Sequence, residues 1–183
     1  MSPINKVKPL DRHVDAYRAH LHVYGLKYVA LFDIALLTGG RISDILGLRF
    51  RDVLRRDGCY KYRESKTGKY KTGILPDTSR DFLKSVKRYY NLRQSDYIVQ
   101  GRYKDRPLSR VQAYRVLRKA GQDLDIYGIG PHSLRKTYAI ALFRDTNGDL
   151  RAVAKALNHD NVSTTLIHYL LSHLTTDQFY GLL

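Results

Sequence analysis

Between Tyr28 and Leu37 the chain is apolar at almost every position, and Gly39-Gly40 closes the run. A helix that is apolar on all faces has to be covered by other elements. The flanking sequence supplies them. Leu10, Val14, Tyr17, Leu21 and Tyr24 recur at helical spacing and stop at Gly25. A short helix is expected over 41–48, with Ile42, Ile45 and Leu46 turned inward. Helical patterning resumes over 78–90, 109–123, 132–145, 149–157 and 162–171. One stretch breaks it. From about Val53 to Leu75 the period falls to two, in Tyr60-Lys61-Tyr62-Arg63 and again in 70–75, with Lys66-Thr67-Gly68-Lys69 as the turn of a hairpin. The fold class is therefore mainly α with a small antiparallel β-sheet (α+β). With 183 residues, 43% of them hydrophobic, one core and one domain are expected. That domain spans 10–171, with residues 1–9 as a flexible arm and 172–183 as a C-terminal tail.

Charge narrows the partner. Lys and Arg number 32 against 17 Asp and Glu, a net charge of +15. Such a surplus favours a polyanion, nucleic acid first; on charge alone, a basic membrane-surface binder or a merely soluble basic protein stays open. One cysteine, Cys59, excludes an intramolecular disulfide and a Cys-rich metal site. No run approaches the ~20 apolar residues of a spanning helix, and no signal-peptide pattern opens the chain. A cytoplasmic, metal-free and cofactor-free protein is expected.

Six polar residues then stand out by context. Arg41 follows Thr38-Gly39-Gly40, and Lys66 lies in Glu64-Ser65-Lys66-Thr67-Gly68-Lys69. His132 and Arg135 form a His-x-x-Arg after Pro131, a residue favoured at the first helical position. They share one face near a helix N-terminus, where a phosphate is welcome. His159 stands in Leu157-Asn158-His159, ten residues before Tyr169. Two arginines, a lysine, two histidines and a tyrosine suit a metal-free enzyme that cuts a phosphodiester through a tyrosine nucleophile. Two guanidiniums present paired donors to non-bridging phosphate oxygens, a geometry lysine cannot match. Nothing in the chain reads as a carboxylate cluster for two metal ions.

The ordered set Thr38-Gly39-Gly40-Arg41-Ile42-Ser43-Asp44-Ile45, Lys66-Thr67-Gly68-Lys69, His132-Ser133-Leu134-Arg135 and Leu157-Asn158-His159 runs on through Ser163-Thr164-Thr165 to Tyr169. From about Leu31 to Tyr169 the chain thus resembles the tyrosine recombinases of the phage-integrase family. The resemblance implies the catalytic-domain fold of that family and site-specific cleavage and rejoining of duplex DNA through a 3′-phosphotyrosine. It implies Arg41 and Arg135 as the phosphate clamp and Lys66 as proton donor to the departing 5′ oxygen, with Lys69 and Lys71 as rivals in the same hairpin. His132 would accept the nucleophile's proton or bond the phosphate, and His159 would donate to a non-bridging oxygen. Asp44 would orient an arginine or histidine from behind. Tyr169 would be the nucleophile, with Tyr180 as its rival.

DNA contacts are expected along 109–123, from Arg110, Arg115, Arg118 and Lys119, with Lys69 from the hairpin. A homo-oligomer on DNA, from dimer to tetramer synapse, is implied, with accessory DNA-bending proteins as possible partners. The apolar tail, with Leu170, Leu171, Leu174, Phe179, Leu182 and Leu183, would pack into a neighbouring subunit or back onto its own domain. Most relatives carry a helical DNA-binding domain ahead of the catalytic one, and Arg41 comes too early for it. The chain is therefore expected to be a catalytic fragment or a short member resembling the fimbrial inversion recombinases. Gly40 also departs from the usual apolar residue at that place. A type IB-like topoisomerase, a telomere resolvase and a DNA-binding regulator on a recombinase fold are the alternative functions.

Overall fold

The computed structural model describes residues 10, 13–165 and 169. The apolar run forms α2 (Leu26–Thr38), and eight of its thirteen side chains are buried. It is the central post. The other helices are α1 (Val14–Leu21), α3 (Ile42–Leu46), α4 (Phe50–Val53), α5 (Asp77–Tyr89), α6 (Arg110–Asp123), α7 (Pro131–Asp145), α8 (Leu150–Ala156) and α9 (Val162–Thr165). α2 packs against α7, α1 and α5. Strands β1 (Cys59–Arg63) and β2 (Tyr70–Ile74) form one antiparallel hairpin, with Tyr62 opposite Lys71 and Arg63 opposite Tyr70.

Three details differ from the sequence reading. The first helix ends at Leu21 and passes into a 3-10 turn at 22–24, because Gly25 takes φ +116° and cannot continue it. Arg41 is not inside the third helix but caps it, with extended backbone (φ −71°, ψ 145°). Residues 50–53 add a one-turn helix, closed by the Asp52 carboxylate accepting from the Arg49 N–H at 2.8 Å. Four residues are too few for periodicity to register.

The Gly39-Gly40 pair has a steric reason. Gly39 ends α2 with φ +57°, and a Cβ there would lie 2.2 Å from the Tyr138 ring. At Gly40 a Cβ would come 2.4 Å from the Tyr62 hydroxyl. Residues in α7 and β1 occupy the space that an apolar side chain would take, so the unusual glycine follows from the packing of the hairpin. The described residues of the proposed domain share one large core, and a second cluster joins α7 and α8 through Ile140, Phe143, Val153 and Leu157, with Tyr169 against it. The arm (1–9) and the tail (172–183) lie outside the described residues. No helix among the described residues is long and apolar enough to cross a membrane.

Candidate active site

Arg135 is the centre of the site. It lies one turn into α7, where Pro131 opens the helix and Ser133 Oγ accepts from the Gly130 N–H at 3.0 Å. Only 2% of the residue is exposed. A buried guanidinium must find partners for its donors, and here they converge from three directions. Nη1 donates to the Gly39 carbonyl at 2.6 Å, and Nη2 to the Leu157 carbonyl at 2.8 Å. Nη2 also lies 3.2 Å from His159 Nε2, and Nε donates to the Tyr169 hydroxyl at 3.2 Å. The end of α2, the end of α8 and the tyrosine therefore meet on one side chain.

Arg41 reaches the same place from the start of α3. Its Nη1 donates to Glu64 Oε2 at 2.8 Å, while Glu64 Oε1 lies 4.0 Å from Arg135 Nη1. The two arginines share a buried carboxylate. Burial would push the Glu64 carboxyl up, but the hydrogen bond from Thr67, the neighbouring Asn158 amide and the charge of Arg41 outweigh it and hold the group below the usual carboxylate range. Glu64 was not among the residues the sequence singled out for chemistry. The signal was present: Tyr60, Tyr62 and Glu64 continue the alternation of β1, and all three are buried.

His159 is placed by the turn after α8. Asn158 takes φ 54°, its N–H bonds the Lys155 carbonyl at 3.0 Å, and the His159 N–H bonds the Ala154 carbonyl at 2.9 Å. This is the left-handed helix ending that favours Gly or Asn, and it accounts for Leu157-Asn158-His159 in physical terms. Burial first, then the charges of Arg135 and Arg41, push the imidazole down to about 4, so it is neutral near pH 7. A guanidinium can only donate, so Nε2 is the acceptor. Nδ1 then carries the hydrogen and donates to Thr165 Oγ at 2.8 Å. Both nitrogens are engaged, and the ring props Arg135 instead of presenting an N–H to a phosphate. The expected donor role therefore requires the ring to be released.

Other expected residues stand apart. Lys66 is exposed in the hairpin turn and makes no hydrogen bond or ion pair with a described residue. His132 is exposed at the first turn of α7, without a hydrogen bond to Tyr169, beside a cleft of about 720 Å³ that Ile42, Arg110, Tyr114 and Arg118 also line. Asp44 makes no hydrogen bond to an arginine or histidine among the described residues. Its Oδ1 accepts from the Ser65 N–H at 2.9 Å and the Ser65 hydroxyl at 2.5 Å, because the hairpin loop packs directly over α3. Lys69 pairs with Asp160. Of the four α6 residues, Arg110 and Arg118 face the His132 cleft, Arg115 is exposed, and Lys119 pairs with Asp123 at 2.5 Å. Tyr180 lies outside the described residues. Among the described residues no group of three or more His, Cys, Asp or Glu could hold a metal ion.

Comparison with known proteins supplies the kinship of this arrangement. A model described as the phage integrase family matches residues 13–175. A probable integrase/recombinase of Bacillus subtilis, YoeC, is 30% identical over 150 residues, covering 82% of this chain and 81% of its own. The tyrosine recombinase XerD of Corynebacterium glutamicum is 33% identical over 160 residues, covering 81% of this chain and 48% of its own. A crystal structure of the XerH site-specific recombinase bound to palindromic difH substrate, a post-cleavage complex, superposes with a TM-score of 0.75 at 20% identity. It covers 97% of this chain and 52% of that one, so the chain spans about half the length of these last two proteins.

Proposed function

The chain belongs to the phage integrase family, and from that premise we propose that it cleaves and rejoins duplex DNA at specific sites through a tyrosine nucleophile. One observation carries the reading: the buried guanidinium of Arg135 donates to the Tyr169 hydroxyl at 3.2 Å and shares a carboxylate with Arg41. The proposed nucleophile thus touches one arm of the proposed phosphate clamp.

In the proposed reaction a scissile phosphate enters beside Arg41 and Arg135, and its non-bridging oxygens take over the donors that now face Glu64. Tyr169 Oη attacks phosphorus as its proton passes to His132, drawn in by the DNA. The bond to the 5′ oxygen breaks, and that oxygen leaves with a proton from Lys66, because an alkoxide is a poor leaving group unless protonated. A 3′-phosphotyrosine results, and the phosphodiester energy is kept. Attack by a 5′ hydroxyl from another strand reverses each transfer and rejoins the DNA. Charge spread over the pentacoordinate transition state is what the arginines stabilise, and each such preorganised donor is worth about 3–4 kcal/mol in the barrier.

Arg110, Arg115 and Arg118, with Lys119 and Lys69 once freed from their carboxylates, would track the phosphate backbone, giving binding that weakens steeply with salt. Exchange of strands between two sites needs two cleaved duplexes together, so a homo-oligomer on DNA, from dimer to tetramer, is the proposed working form. DNA-bending proteins would assist it, and the reaction would take place in the cytoplasm.

The test uses a pool of duplexes nicked near a randomised central stretch, so that a cleaved strand loses its short 5′-hydroxyl product and cannot be rejoined. Wild-type protein should form an adduct stable on denaturing gels, and Tyr169→Phe should form none. No adduct from the wild type on any member of the pool would contradict the reading and favour a DNA-binding regulator.

A further inference from the structure

We infer that Lys71 is a positioning residue for strand cleavage: from β2 its ammonium crosses the inside of the site to the Ala156 carbonyl and fixes the segment that seats Arg135. The inference rests on the recombinase reading above and adds to it a residue of β2, beyond the hairpin turn that carries Lys66.

Lys71 is 5% exposed, an unusual state for a lysine in a two-stranded hairpin. The register explains how it gets there. Lys71 pairs with Tyr62 and shares its inward face, while Tyr70 on the neighbouring position is exposed. Nζ donates to the Ala156 carbonyl at 2.7 Å and lies 5.7 Å from the centre of the Tyr138 ring. Each contact adjoins a support of Arg135. Ala156 precedes Leu157, whose carbonyl takes Nη2, and lies three residues before His159, whose ring lies against Nη2. Tyr138 packs on Gly39, whose carbonyl takes Nη1. Removing Lys71 would therefore loosen both backbone carbonyls that hold the guanidinium.

Fold stability does not explain a cation at this position. Burial, then the neighbouring charge of Arg135, push the lysine down to about 7 against a weaker upward pull from Glu64. A cation held so far below its ordinary range is disfavoured by its burial, so an apolar side chain of similar length removes that cost from the fold. What methionine cannot supply is the N–H to Ala156. Catalysis is sensitive to that loss, because a small displacement of a clamp group can reduce the rate about 100-fold.

The experiment compares Lys71→Met with Lys71→Gln, which keeps an N–H donor. Melting temperature, DNA affinity, adduct-forming rate at saturating nicked duplex, and amide hydrogen exchange at Asn158 and His159 are measured for each. Lys71→Met should melt no lower than wild type and bind DNA within about twofold, yet form adduct at least about tenfold more slowly. Its Asn158 and His159 amides should exchange about tenfold faster, and Lys71→Gln should recover part of both losses. Wild-type rate and exchange in Lys71→Met would overturn the inference. So would a fall in melting temperature that matches the fall in rate, with no recovery in Lys71→Gln, since that would mark a purely structural residue. The exchange measurement needs no cleavage, so it separates failure of this inference from failure of the recombinase reading.

Discussion

The two halves of the site are built to opposite rules. Arg135, Glu64, Arg41 and His159 form a largely buried cradle whose members hold one another through short contacts from α2, α3, α7, α8 and the hairpin. Lys66 and His132, the residues proposed to move protons, lie exposed and without hydrogen-bond partners among the described residues. The comparison teaches a division of labour. In the proposed mechanism, charge stabilisation would be preorganised, with its cost met on folding, and proton transfer would await DNA that brings the hairpin tip and the start of α7 together. On that proposal, a nuclease-like reaction would be withheld until substrate is in place.

The comparison breaks most visibly at Arg135. Arg135→Ala should slow adduct formation by about 10²–10³-fold and, because the Gly39 and Leu157 carbonyls and Glu64 lose their partner, lower stability by about 3 kcal/mol. Cleavage assays and urea melts together check this; loss of activity with unchanged stability would mean that the cradle is not preassembled. At the exposed half, Lys66→Ala should slow cleavage about 100-fold and change stability by less than about 0.5 kcal/mol. A 5′-bridging sulfur at the scissile phosphate, which leaves without protonation, should restore its rate. Absence of rescue would move the proton-donor role to Lys69 or Lys71.

Glu64→Gln sharpens the same contrast from inside. It keeps an acceptor for Arg41 and Thr67 but removes the charge between two arginines, so stability should fall by about 1–3 kcal/mol. DNA affinity should rise, because the phosphate then meets uncompensated guanidiniums; an unchanged affinity would show that Glu64 does not compete with the phosphate. The smallest effect concerns pH. His159 is depressed from 6.5 to about 4 in the folded protein, so between those values the unfolded chain binds the extra proton. Stability should therefore fall as pH drops from 6.5 towards 4. His159→Gln should flatten that part of the curve, and an identical slope would place the effect elsewhere.

Much of this was legible in the sequence, for reasons that can be stated. The apolar run over Tyr28–Leu37, the amphipathic helices and the period-two hairpin follow from local patterns, and each has its counterpart among the described residues, the helix expected over 162–171 only as far as Thr165. Arg41, Arg135, His159 and Tyr169 were found by ordered context, and the structure brings them together. Glu64 was passed over, and Lys71 was named only as a rival of Lys66, because charged residues are normally read as solvated. Only the cross-strand register, with Tyr62 opposite Lys71 and Glu64 next on the inward face, turns them into the site. The bonds of Asp44 to Ser65 were not legible, because spacing along a helix does not reveal a hairpin folded over it.

The account depends above all on Tyr169 being the nucleophile. The most direct measurement digests the trapped adduct with trypsin and nuclease and fragments the peptide that follows Lys155, which contains both Tyr169 and Tyr180. The account predicts a 3′-nucleotide phosphodiester on Tyr169. The same mass on Tyr180, or on any residue outside that peptide, would contradict it.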